Sequence, residues 1–277
     1  MKKLPGLPSE SNFQQDALPM RAVTIVFFAA LFLGFNLYSP ALSGPFVFDD
    51  FTLPYQRTVA DQSLSAWLTV AGVRPFLMFT YWINRRLGGE SPLGYHVLNL
   101  LIHVITTTLV FLVFYRLLQM AGWERTKRTA AAGIGAAIFL VHPLQTESVS
   151  YIAGRSESLA TMFVVLAYVV FLYRRGECNS WRESLVVLAL FAIGMSTKEN
   201  AFSMAAILIL TDVFWPVPFS RRGLRNNWRL YALMLPGSIV ALVAVLRMLV
   251  TSSSAGFSGP VTWYQYGFTQ ARAGNAR

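Results

Sequence analysis

Three short stretches of the sequence carry residue types that do chemistry, and each lies beside long apolar blocks. The first is Phe46-Val47-Phe48-Asp49-Asp50-Phe51. Adjacent carboxylates wedged between aromatics repel each other, and partial desolvation raises at least one of their pKa values. That suits a general base, which must take a proton near neutral pH. The plainer alternative is a helix cap or a pair of solvated loop acids. The second stretch runs from His142 through Glu147, Tyr151, Gly154 and Arg155 to Glu157. Read as one helix, Glu147, Tyr151 and Arg155 recur at i, i+4 and i+8 and share a face. An arginine fork there would clamp a phosphate, whereas an internal Glu–Arg pair would only stabilise a loop helix. The third is Ser196-Thr197-Lys198-Glu199-Asn200, with almost no loop on either side. A Lys–Glu pair at such a junction is either self-neutralising architecture or a phosphate contact, and spacing does not choose between them.

The histidines are sparse. His96 and His103 lie on one face of an apolar block, and His142 ends the next. No His-x-x-x-His spacing or acidic triad marks a metal site, so no metal ligands are assigned. Polar packing between membrane spans is the expected role, with Asn99 as a hydrogen-bonding partner. A single cysteine, Cys178, excludes an intramolecular disulfide framework. Walker, Rossmann and nucleophile-elbow patterns are absent from the sequence.

The elements that must position these residues follow from composition. Hydrophobic residues make up 55% of the 277, and charged ones only 13%, against roughly 25% in soluble domains. That charge cannot cover a globular surface. Apolar blocks recur at about 22–38, 95–118, 129–143, 158–173, 184–197, 200–216 and 230–250, which predicts an all-α polytopic membrane protein of about seven spans. Several blocks are short for a hydrocarbon core of ~30 Å, so their ends must reach the interface or be buried in protein. The first block reads as a retained span and not a signal peptide, because its polar leader is long and its apolar run exceeds an h-region. Residues 73–87, with Arg74, Arg85 and Arg86 beside Tyr81 and Trp82, predict an interfacial helix.

The net charge of +10 does not indicate nucleic acid, because the basic residues sit in short clusters between apolar blocks. Clusters within 2–21, 116–128, 174–182 and 221–229 alternate with less basic connections, which predicts a cytoplasmic N-terminus. The expected organisation is a leader over 1–21, a membrane domain over 22–250 with an external loop over 39–94, and an external tail over 251–277. The charged stretches then face the periplasm of a bacterial inner membrane, or the lumen of a eukaryotic endoplasmic reticulum.

With those residues in view, the chain resembles the membrane glycosyltransferases of the GT-C class. In particular it looks like the O-mannosyltransferase-like proteins that couple a multi-span domain to C-terminal tetratricopeptide repeats. The matching runs are FVFDDF, Arg74-Pro75-Phe76, GYHVLNLLIH from Gly94, FLVHPLQTESVSYIAGRSE from Phe139, and STKEN from Ser196. The resemblance implies a GT-C-like fold and a donor sugar carried on a polyprenyl phosphate, moved to a hydroxyl of a protein or glycan acceptor at the external face. It implies Asp49 and Asp50 as the catalytic acids, with Asp49 the base, and Arg74, Arg155 and Lys198 as contacts of the donor phosphate. His96, Asn99, His103, His142, Glu147, Tyr151, Glu157 and Glu199 would be supporting polar groups. A divalent metal is compatible with such chemistry but not required. Members of that family continue past the point where this sequence ends, so 251–277 reads as a truncated continuation of the membrane domain. A multi-span transporter or a non-catalytic assembly subunit are the alternative readings.

Overall fold

In a computed structural model, residues 19–53, 63–70, 74–173, 180–214 and 222–251 are described, and their regular structure is helical. The expectations for the leader over 1–18, Cys178, Arg221 and the tail over 252–277 lie outside the described residues. The chain divides after Leu230 into two compact units. The first holds every residue singled out above within the described segments.

Helix α1 (Met20–Leu42) is followed by a 3-10 turn (Phe48–Thr52), then α2 (Leu64–Val70) and α3 (Pro75–Gly88). Next come α4 (Pro92–Met120), α5 (Arg125–Val141), α6 (Gln145–Ser150) and α7 (Arg155–Leu172). After these stand α8 (Trp181–Met195), a 3-10 turn (Glu199–Phe202), α9 (Ser203–Phe214), α10 (Arg222–Asn226) and α11 (Trp228–Thr251). Pro75 and Pro92 sit in the first turns of α3 and α4, where a missing N–H costs nothing. Ser180 and Glu183 start α8 with a reciprocal capping box.

Among the described residues, three helices, α1, α4 and α7, are long and apolar enough to cross a membrane. Their packing inverts a soluble core. Ile25, Phe28 and Phe32 on α1 and Ile134 and Ile138 on α5 are exposed, whereas His96, Asn99, His103 and Thr106 to Thr108 of α4 are buried. Each of those threonines donates to the carbonyl four residues back, so its hydroxyl is satisfied inside its own helix. This is the arrangement a bilayer favours, with polar groups turned inward. The blocks at 129–143, 184–197 and 200–216 form α5, α8 and α9 of 17, 15 and 12 residues. None of these three reaches the length of a full crossing, so three candidate spans stand where seven are expected.

The interfacial reading of 73–87 corresponds to α3, which buries Leu77, Met78, Tyr81 and Asn84 on one face and stacks Arg86 over Trp82. The continuous helix expected from Glu147 to Arg155 is not formed. Helix α6 ends at Ser150, Tyr151 is extended, and α7 begins at Arg155. The reason is tertiary. The carbonyl of Tyr151 accepts from Asn99 Nδ2 at 3.1 Å, and that of Ile152 accepts from Tyr81 Oη at 2.9 Å. The N–H of Ala153 goes to Asp50 Oδ1 at 2.8 Å. The Ala153 N–H is thereby withdrawn from any helical ladder, while the Tyr151 and Ile152 carbonyls, tied to α4 and α3, accept only i+3 turn bonds from Gly154 and Arg155. Gly154 completes the break, because a Cβ there would meet the Glu147 carbonyl at 2.6 Å and that of Tyr151 at 3.0 Å.

Candidate active site at one end of the helices

The C-terminal ends of α1, α5 and α8 and the N-terminal ends of α4 and α7 come together with the 3-10 turns. Among them lies a cavity of about 760 Å³ whose polar wall includes Asp49, Arg74, Glu147, Tyr151, Glu157 and Lys198. Tyr81, Leu77, Met78, His103 and Phe139 supply its apolar and aromatic lining. Five charged residues from four sequence-distant stretches therefore face one space.

The two aspartates are separated by environment. Asp49 is exposed on the cavity wall, and its backbone N–H donates to Tyr151 Oη at 2.8 Å. Partial burial, together with the charges of Asp49 and Asp50, holds the Tyr151 phenol above its ordinary pKa and keeps it protonated. Asp50 is 1% exposed and outside the cavity. Its carboxylate accepts from the N–H of Val47 at 3.0 Å and from that of Ala153 at 2.8 Å. Burial pushes the Asp50 pKa up, and those two backbone bonds only partly offset it. Phe48, just before the pair, has φ +47°, a left-handed conformation that is costly for a bulky residue. The two Asp50 bonds pin the turn that imposes it.

Asp50→Asn puts an NH₂ opposite one of those backbone donors, which strands a buried N–H at about 1–3 kcal/mol. A lower melting temperature in detergent is the expected result. The sign with pH follows from the raised pKa, because the folded state binds the Asp50 proton more tightly than the unfolded state. The stability this group contributes is full below its ordinary value of 3.8 and is lost as pH rises through the folded value. A melting-temperature series across that window should show the slope in the wild type and a flatter one in the variant.

The cations are paired with carboxylates. Arg74 Nη2 donates to both oxygens of Glu199 at 3.0 Å. Lys198 donates to Glu157, which also accepts from Asn200 Nδ2 at 2.6 Å. Burial pushes the Glu199 pKa up, but its own backbone N–H and the Arg74 and Lys198 charges outweigh this and hold it below the usual value. The charges of the third stretch are thus paired with groups of other stretches, Glu199 with Arg74 and Lys198 with Glu157, and Arg74 and Lys198 both border the cavity.

Arg155 is placed differently from the sequence expectation. It is fully buried, with Nε donating to Asn99 Oδ1 at 2.7 Å, Nη2 to the Tyr95 carbonyl at 3.1 Å and Nη1 to Thr80 Oγ1 at 3.4 Å. Its guanidinium stacks 4.4 Å from the Tyr81 ring centroid. Glu147 is exposed on the cavity wall, so the Glu147–Arg155 face is replaced by an Arg155–Asn99–Tyr151 chain. The other histidine positions are architectural in geometry. His96 Nε2 lies 3.2 Å from the Gly44 carbonyl and His103 Nε2 3.1 Å from that of Leu140. The N–H of Leu144 donates to His142 Nδ1 at 3.3 Å. Among the described residues no group of three or more His, Cys, Asp or Glu stands ready for a metal ion.

Two features escape the sequence reading. Tyr81 passes for an interfacial aromatic, although the apolar spacing Leu77, Met78, Tyr81 already marks a buried face. Asp212, buried in α9 and accepting from Asn227 Nδ2 at 2.7 Å, is the one carboxylate in the apolar run of that helix. A charge inside such a run was a legible signal.

Comparison with known proteins gives one consistent result. The chain is similar to protein O-mannosyl-transferase Tmtc1 of Drosophila melanogaster, 30% identical over 201 residues, covering 67% of this chain and 22% of that protein. It is similar to protein O-mannosyl-transferase F38B6.6 of Caenorhabditis elegans, 30% identical over 236 residues, covering 79% of this chain and 31% of that protein. Mouse protein O-mannosyl-transferase TMTC3 is 27% identical over 217 residues, covering 76% of this chain and 23% of that protein. No family model matches, and no solved structure matches significantly. The chain is a distant homologue, over most of its length, of GT-C protein O-mannosyl-transferases, and it spans between a fifth and a third of the relatives it matches.

Proposed function

We propose that this distant homologue of the protein O-mannosyl-transferases is the membrane part of a glycosyltransferase. It moves a sugar, in the manner of an O-mannosyltransferase, from a polyprenyl-phosphate donor to a hydroxyl on a protein or glycan acceptor. One observation carries the reading: an exposed carboxylate, Asp49, shares a cavity with the cations Arg74 and Lys198 at one end of the apolar helices.

In this reading Asp49 takes the proton of the acceptor hydroxyl as its oxygen bonds to C1 of the sugar. The C1–O bond to phosphate breaks on the far side, and the phosphate leaves with the electron pair. Arg74 and Lys198 turn from Glu199 and Glu157 toward the leaving phosphate and steady its charge. Buried Arg155 acts at a distance, through Asn99 and the Tyr151 carbonyl, by fixing the segment whose phenol holds Asp49. Incubating membranes that contain the chain with labelled polyprenyl-phosphate sugars tests the reading. Label should pass to protein or glycan, and unlabelled acceptor with intact donor would oppose it. In the same assay Arg74→Gln is expected to raise the donor KM about tenfold, as for a lost charge-assisted phosphate contact, with kcat much less affected. An unchanged KM would leave Arg74 as a partner of Glu199 only.

The topology proposed with it counts α1, α4, α5, α7, α8, α9 and α11 as seven spans, with the N-terminus cytoplasmic and Asp49 external. The clustering of loop arginines away from the Asp49 end supports it. In intact cells an impermeant thiol reagent should miss Cys178 and reach a cysteine introduced as Ser63→Cys. The reverse labelling would overturn the orientation.

A further inference from the structure

At the other end of α8, away from the cavity, two indoles and one arginine form a separate cluster. Trp181 opens α8 and Trp228 opens α11, and their rings meet edge to face with centroids 6.3 Å apart. The Arg229 guanidinium lies 5.4 Å from the Trp181 centroid and 5.9 Å from that of Trp228. Both indoles remain half exposed, at 50% and 56%. Arg229 Nε is buried without a hydrogen-bond partner, and no described residue forms an ion pair with the guanidinium. The carboxylates on neighbouring elements are engaged elsewhere. Asp212 is held by Asn227 at 2.7 Å, and Glu183 accepts from the backbone N–H and hydroxyl of Ser180 at 2.8 and 2.9 Å.

A guanidinium flanked by aromatic rings loses water from its faces while the donors in its plane still need an acceptor. Its planar fork matches a phosphate. Arg182, also exposed, adds positive charge beside Trp181. One turn further along α8, Leu185 and Val186 are exposed, so the surface passes from cation and indoles to hydrocarbon-facing residues. Indoles at that boundary sit at headgroup depth, and basic groups there attract acidic lipid.

We propose that Trp181, Arg229 and Trp228 form a clamp for the phosphate of an acidic phospholipid headgroup. The site is independent of the glycosyltransferase reading and of its cavity. The protein is reconstituted in phosphatidylcholine nanodiscs containing trace brominated phosphatidylglycerol or, separately, brominated phosphatidylcholine, and quenching of tryptophan emission is compared. Brominated phosphatidylglycerol should quench in excess, and Arg229→Gln should weaken that excess about fivefold, the scale of one interfacial cation. Millimolar inorganic phosphate should leave it unchanged. Equal quenching by the two lipids, an excess that survives Arg229→Gln, or competition by inorganic phosphate would each overturn the proposal. If Arg229→Gln fails to fold, Trp181→Leu provides the second test. The excess quenching by the acidic lipid, summed over the six remaining tryptophans, should then be lost, and a retained preference counts against the clamp.

Discussion

Asp49→Asn should lower sugar transfer by about 10² to 10⁴, the usual loss when a general base is removed. Expression, melting temperature and donor KM should stay near wild type. The separation is expected because Asp49 is exposed on the cavity wall, while the structural bonds of the 3-10 turn belong to Asp50. Asn keeps the size of the side chain, and the backbone N–H that meets Tyr151 is untouched. Tyr151→Phe offers a graded companion, since it loosens Asp49 without removing the carboxylate and should lower kcat less. Full transfer activity in the Asp49→Asn enzyme would sink the base assignment and reduce the acidic pair to an element of loop structure.

The second large effect falls on stability. Arg155→Ala strands Asn99 Oδ1, removes the second bond of the helical Tyr95 carbonyl, and opens a void against the Tyr81 ring. Unsatisfied buried groups cost about 1–3 kcal/mol each, so a total of about 3–5 kcal/mol is expected, comparable with the whole margin of many proteins. Arg155→Lys retains the charge but cannot reach several acceptors at once, and should recover only part. The readouts are melting temperature and monodispersity in detergent. If Arg155→Ala melts like the wild type and only donor affinity falls, the buried-organiser role is wrong and the arginine belongs to the phosphate.

The contrast between these two residues marks what the sequence made legible. The place of Asp49 on the cavity wall was legible because its setting is local: a carboxylate flanked by aromatics just past an apolar block. The membrane helices α1 and α4 were equally legible, since an uninterrupted apolar run leaves few alternatives. Arg155 was misplaced because its position depends on a helix break at Tyr151. That break is made by Asn99, Tyr81 and Asp50, none of them near in sequence. Local spacing favoured one continuous helix, and tertiary hydrogen bonds decided otherwise. The pairing of Lys198 with Glu157 and of Arg74 with Glu199 was unreadable for the same reason.

Helices α8 and α9, with 15 and 12 residues, extend only about 22 and 18 Å, well under the ~30 Å of an average hydrocarbon layer. In the proposed seven-span topology, acyl chains beside these two helices must tilt or compress to cover them. The surface of the membrane would then dip locally toward Lys198, which lies between them in the sequence. Such a dip would carry a lipid phosphate closer to the cavity than a flat leaflet does. Host-bilayer thickness would thereby become a variable of the proposed reaction: short-chain lipids should favour donor capture, and long-chain lipids should slow it with no change in any residue.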